Sequence, residues 1–181
     1  MTGPRGRPNI SPLMSAEVPG KVDGWRMVAA GREFEGRLPL AGMERLRDLL
    51  VDAAGEAVWT AGFGRDELDL PCVEVRVDAR LPLECQRTMQ RFEHPVQVRQ
   101  RYGLVRDEAD EDALPEGWEA LLPDEDGGVD LAALVEDELI LAVPLIPVMP
   151  GTESVERDWP VQADEATRAN PFSALAELKK K

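Results

Sequence analysis

Six arginines offer this sequence its most usable chemistry: Arg76 and Arg80, Arg99 and Arg101, and Arg87 and Arg91 between the two pairs. A guanidinium stays charged at physiological pH and presents a planar fork of donors, so several on one surface can hold phosphates. Even spacing puts Arg76 and Arg80 on one side of an extended strand, and Arg99 and Arg101 on one side of another. If those strands pair, the guanidiniums share a sheet face. Tyr102 has the opposite parity and points inward. The same arginines could instead neutralise the acidic loop of the same molecule, and the sequence leaves both roles open.

Other reactive residue types are poorly placed. The single histidine, His94, precedes Pro95 and has no partner at metal-ligand spacing and no serine or cysteine nucleophile nearby, so it reads as a strand-edge residue. The glycines form neither Gly-x-Gly-x-x-Gly nor Gly-Lys-Ser/Thr, which leaves nucleotide chemistry unsupported. Cys72 and Cys85 are too few for a disulfide framework and are expected as free thiols. Carboxylates are abundant but form a solvated run rather than an acid/base pair. The expectation is a protein that is not an enzyme, ribonuclease included, with no cofactor, no metal and no small-molecule substrate.

The net charge of -14 is unevenly spread. From Leu104 to Glu138 there are 14 acidic residues against Arg106 alone, a local charge of -13, so the rest of the chain is nearly neutral. Such a stretch repels phosphate and attracts basic partners, so any RNA contact must come from elsewhere.

One carboxylate stands apart from that run. A helix turning about 100° per residue places Glu138 over Leu131 and between Val135 and Ala142, on the apolar stripe, while Glu136 and Asp137 point away. A buried structural acid at 138 must find a partner, and an arginine or several backbone amides are expected where the helix docks.

The elements that position these residues follow from periodicity. Val73 to Leu83 alternate strictly between apolar and polar, as do Val96 to Leu104, so two strands should pair antiparallel. Ala57 to Phe63 has strand-like content. Met43, Leu46, Leu49, Leu50 and Ala53 recur at helical spacing before Gly55, which predicts a helix over 41–54. Asp130 can cap a second helix, 130–143, carrying Leu131, Leu134, Val135 and Leu139 and ended by Pro144. Between Val22 and Leu40 the pattern is irregular, with Trp25, Met27, Val28 and Phe34 as core contributors. Residues 107–128 read as a long acidic loop anchored by Trp118, Leu121 and Leu122. Asn170 and Pro171 begin a short C-terminal docking helix with Phe172, Leu175 and Leu178.

These elements give an α+β fold: a curved antiparallel sheet or partial barrel with two main helices and the docking helix. Residues 1–20 are a flexible extension and 21–181 a single domain, with Met14 an alternative start. No run reaches the roughly 18 apolar residues of a membrane span and Met1 to Pro19 lacks a secretory signal, so a cytoplasmic protein is expected.

Longer stretches resemble a known family. LECQR at 83–87, ALPEGWE at 113–119, VDLAALVEDELILAVPLIPV at 129–148 and NPFSALAELKKK at 170–181 are similar to the bacterial YceD proteins in identity, order and spacing. The resemblance extends loosely back to about Val18. It implies a non-catalytic, cytoplasmic ribosome biogenesis factor that supports the synthesis, processing or stability of 23S ribosomal RNA. The implied partner is 23S RNA or a pre-large-subunit particle. The alternative is an acidic chaperone for a basic large-subunit ribosomal protein. Many relatives show Cys-x-x-Cys where this chain has Cys85-Gln86-Arg87-Thr88, and a His and a Cys where it has Met149 and Ser154. Those positions in relatives would suit a structural zinc site. Here the Cys85 turn must be held to the 147–154 loop by packing.

Overall fold

The computed structural model describes residues 20–152. Apart from Gly20, the expected N-terminal extension lies outside the described residues, and so do the expected docking helix at 170–181 and Ser154. In chain order the elements are β1 (Val22–Asp23), α1 (Gly24–Ala30), β2 (Glu33–Pro39), α2 (Glu44–Arg47), β3 (Glu56–Arg65), β4 (Pro71–Glu84), β5 (Arg91–Leu104), β6 (Trp118–Leu121), β7 (Gly128–Val129) and α3 (Leu131–Ala142). Two 3-10 turns lie at Leu40–Gly42 and Glu108–Ala113.

The fold is α+β, with one five-stranded sheet in the order β2-β3-β4-β5-β6 and a two-stranded sheet of β1 and β7. The large sheet is antiparallel from β2 to β5, as its alternation predicts, and is not closed into a barrel. Its last strand, β6, runs parallel to β5 and pairs with it only from Arg101 to Leu104. The longest pairing is the expected one, β4 with β5 from Cys72↔Gly103 to Glu84↔Arg91. Val73, Val75, Val77, Leu81 and Leu83 turn inward and are buried, while Glu74, Arg76, Asp78 and Arg80 face the other way.

Helix α3 covers the inner face. Asp130 caps it, accepting from the amides of Ala132 and Ala133 at 3.0 Å each. Its buried Leu131, Leu134, Val135 and Leu139 share one core with Trp59, Phe63, Val75 and Leu81. Each such side chain contributes about 1.5–3 kcal/mol through removal from water. Gly24 opens α1 under this core because a Cβ there would stand 2.9 Å from both Leu104 and Val129.

The helix expected over 41–54 is much shorter. After Arg47 the amides of Leu49 and Leu50 bond three residues back, to Leu46 and Arg47, and the amide of Val51 then bonds Pro82 at the end of β4. The chain leaves the helix to run beside the sheet, so the apolar spacing of Leu49 and Leu50 belongs to a turn, and Leu49 is exposed. The irregular 22–40 segment holds β1, α1 and β2. Asp23 caps α1 by accepting from Arg26, and Gly31 closes it at φ 56°.

Candidate functional site

The outer face of β4 and β5 gathers three of the six arginines around one acid. Glu74 accepts from Arg76 Nε at 2.9 Å through one carboxylate oxygen, and from Arg99 Nη2 at 2.9 Å and Arg101 Nη2 at 2.8 Å through the other. The register explains the meeting, because Glu74 stands opposite Arg101 and Arg76 opposite Arg99, all on one side of the pleat. Glu74 is only 20% exposed, while Arg76, Arg99 and Arg101 are 57%, 63% and 42% exposed. The hydrogen bonds of Arg99 and Arg101 lower the Glu74 pKa most, burial opposes them, and with Arg76 added it falls to about 2. Three cations around one carboxylate that is ionised at neutral pH leave an excess of positive charge among these four side chains on an accessible surface.

Aromatic and apolar groups border the cluster. The Arg101 guanidinium lies 5.3 Å from the centre of the Trp118 ring on β6. Tyr102, one residue on, points inward as its parity requires and is buried.

The other arginines lie elsewhere. Arg80 is farther along β4 and approaches Glu93 at 3.9 Å, and Arg91 bonds Asp52 through Nε at 2.6 Å. Arg87 sits in the turn joining β4 to β5, off the sheet face. Among the described residues, the ion-pair partners of Arg76, Arg80, Arg91, Arg99 and Arg101 are Glu74, Glu93 and Asp52, none from the acidic 107–128 stretch. Sequence reasoning passed over Glu74 as the hub, although its spacing to Arg76 and its register with Arg101 were present in the alternation. His94 lies beyond the reach of β6, packed edge-on against Phe92.

Glu138 is buried as predicted, but its partner is different. The phenol of Tyr102 donates to it, where an arginine or backbone amides were expected. The arginines of β4 and β5 stand on the far side of the sheet from α3, and Arg45 of α2 pairs with Glu136 and Asp137, so a neutral donor from the inner side of β5 meets Glu138. Glu136 does not point away into solvent. It accepts from the amides of Arg45 at 2.8 Å and Leu46 at 3.1 Å, capping α2, whose own N-cap Met43 has no side-chain acceptor.

The Cys85 turn is held by hydrogen bonds as well as by packing. The amide of Met149 donates to Cys85 Sγ at 3.3 Å and the amide of Gln86 donates to the carbonyl of Pro147 at 2.9 Å. The Met149 amide and then the Thr88 hydroxyl lower the thiol pKa. Neither Thr88 nor Met149 carries a ligand that would complete a tetrahedral thiolate zinc site with Cys85. No cluster of three His, Cys, Asp or Glu is disposed to hold a metal among the described residues. Nor does any described helix have the length and apolarity to cross a membrane.

Comparison with known proteins places this chain in a family. Residues 73–179 match the family model described as large ribosomal RNA subunit accumulation protein YceD. The Haemophilus influenzae protein of that same description is 30% identical over 174 residues, covering 93% of this chain and 100% of the relative. No solved structure matches. With the matched region running from Val73 in β4 to residue 179, and a relative at this identity covered over its whole length, the chain belongs to the YceD family.

Proposed function

We propose that this protein is a non-catalytic cytoplasmic factor for the accumulation of large-subunit ribosomal RNA, and that it engages 23S RNA or a pre-large-subunit particle through Arg76, Arg99 and Arg101. The observation that carries the reading is the exposed three-arginine cluster around Glu74. It rests also on the description of the relative, which names RNA accumulation. A carboxyl held near pKa 2 is far from the operating pH that general acid-base catalysis requires, so Glu74 organises charge. The proposal includes no cofactor, metal or small-molecule substrate.

Replacing Arg99 and Arg101 by glutamine removes two charges while leaving amide donors beside Glu74. Binding of a 23S fragment should weaken and its salt dependence should fall by about one slope unit per lost phosphate contact. Equal affinity and equal slope for wild type and variant would overturn the reading. A second reading is a chaperone for a basic ribosomal protein. It is favoured by the acidic 107–128 stretch, which the sheet arginines do not neutralise. Salt-sensitive capture of a purified basic ribosomal protein, unaffected by the arginine changes, would select it.

A further inference from the structure

Strand β3 carries Gly62 and Gly64 two residues apart, opposite Glu74 and Cys72 on the solvent side of the sheet. Glycine inside a strand forgoes cross-strand packing and loses the most backbone entropy on folding, so it needs a reason. The usual structural reasons do not apply. Neither residue has a left-handed φ, and pairing with β4 runs without a bulge from Val58↔Asp78 to Arg65↔Pro71. A Cβ built on either would meet no atom within 4 Å. Gly103 on β5 differs, since its Cβ would collide with Leu114. What remains is close approach by something outside the described residues.

The surroundings define what fits. Gly62 and Gly64 form the bare floor of an open groove of about 940 Å³, bordered by Leu68, Pro115 and Trp118, edged by Arg101 and Glu74, and flanked at the β3–β4 turn by Asp66 and Glu67. Leu68 is 73% exposed, an apolar side chain standing at the groove's rim. Arg76 and Arg99 lie one paired position farther along the same face. A flat backbone floor with apolar borders accepts the face of a planar ring, and the arginines beside it accept an anion.

We infer that the groove receives a nucleobase of single-stranded RNA, lying over Gly62 and Gly64 near Trp118, with the adjoining phosphate on Arg76 and Arg99. The inference rests on the RNA reading above and deepens it by specifying unpaired strand. Base faces are stacked away inside an A-form duplex, whereas an unpaired segment can offer a ring face and a phosphate together.

The test uses the full chain and a labelled, mixed-sequence single-stranded RNA of about 12 nucleotides, alone or annealed to its complement. Gly62→Thr and Gly64→Val put β-branched side chains on the floor of a strand that favours them. Both variants should keep or raise the thermal midpoint and lose about tenfold in single-strand affinity, and the wild type should prefer single strand to duplex. Wild-type affinity in both glycine variants, or equal affinity for duplex, would overturn the inference. So would a Gly62→Thr protein that fails to fold, since folding would then require the glycine. If binding survives in the glycine variants but falls in Arg99→Gln/Arg101→Gln, only the groove assignment fails. If wild type binds neither RNA at low salt, the RNA reading fails with it.

Discussion

The phenol of Tyr102 donates its hydrogen bond to the carboxylate of Glu138 where the inner side of β5 meets α3, and both side chains are buried. Burial raises the Glu138 pKa, the Tyr102 hydrogen bond opposes the rise, and the nearby charges of Glu119 and Asp137 add to it. Burial and then Glu138 push the phenol up in turn. The pair is a neutral donor supporting an acid whose charged form is disfavoured, which differs from a salt bridge.

The sign of its pH dependence follows. A carboxyl whose folded pKa is raised contributes stability that is fully present below its unfolded value, near 4.3, and is lost as pH rises through the folded value. Glu138→Gln keeps an acceptor for Tyr102 and removes the titration, so it should equal or exceed wild type in stability at pH 8 and flatten the alkaline decline. Tyr102→Phe should cost about 1–3 kcal/mol, the penalty for stranding a buried polar group, and more at pH 8 than at pH 5. Urea unfolding at the two pH values measures both. A variant order independent of pH would mean that Glu138 does not titrate in this range.

Glu136 tests a different bond. Burial pushes its pKa up, but the amides of Leu46 and Arg45 and the Arg45 guanidinium outweigh burial and leave it lowered. Glu136→Ala therefore removes the N-terminal cap of α2 and should cost about 1 kcal/mol, at the level of other lost caps. Glu136→Gln should retain part of it. A midpoint for Glu136→Ala equal to wild type would show that α2 needs no cap.

These two acids also show how far the sequence could be read. Periodicity located Glu138 on the buried stripe because a helix has a fixed angle per residue, and it located β4 and β5 because alternation has period two. It could not name Tyr102 as the partner, since that depends on how α3 lies across the sheet. Glu136 was misread for the same reason: its angle on the helix is fixed, but the neighbour waiting there, α2, comes from distant sequence. The 41–54 helix failed where local spacing competed with the Val51 to Pro82 hydrogen bond, a tertiary contact invisible to a local window. The arginine face was legible from parity, whereas its hub required the register Glu74↔Arg101.

The Cys85 turn gives a third prediction. With Met149 donating to the thiol and Gln86 to Pro147, Cys85→Ala should free the Met149 amide to exchange faster while β4 and β5 stay protected. The expected loss is about 1 kcal/mol, for a part-buried donor losing its acceptor. Unchanged exchange at Met149 would assign the turn's order to packing alone. Elemental analysis should find no stoichiometric zinc, because Thr88 and Met149 supply no ligands, and one zinc per chain would refute that.

Glu74 couples stability to binding. Its pKa, lowered to about 2 by Arg99, Arg101 and Arg76, makes its contribution fully present above the ordinary carboxylate value and lost as pH falls toward 2. Glu74→Gln should therefore remove part of the acid-induced loss of stability between about pH 4 and pH 2. At neutral pH it leaves three guanidiniums around a neutral amide, and because those side chains are largely exposed the cost should be only about 1 kcal/mol. The effect on RNA should run the other way. Glu74 occupies donors that a phosphate would use, so removing its charge should tighten single-strand binding and steepen the salt dependence. Arg99→Gln/Arg101→Gln, measured beside it, should do the opposite. If Glu74→Gln instead weakens binding while the fold holds, the carboxylate's service is to aim the arginines, and its charge does not compete with RNA.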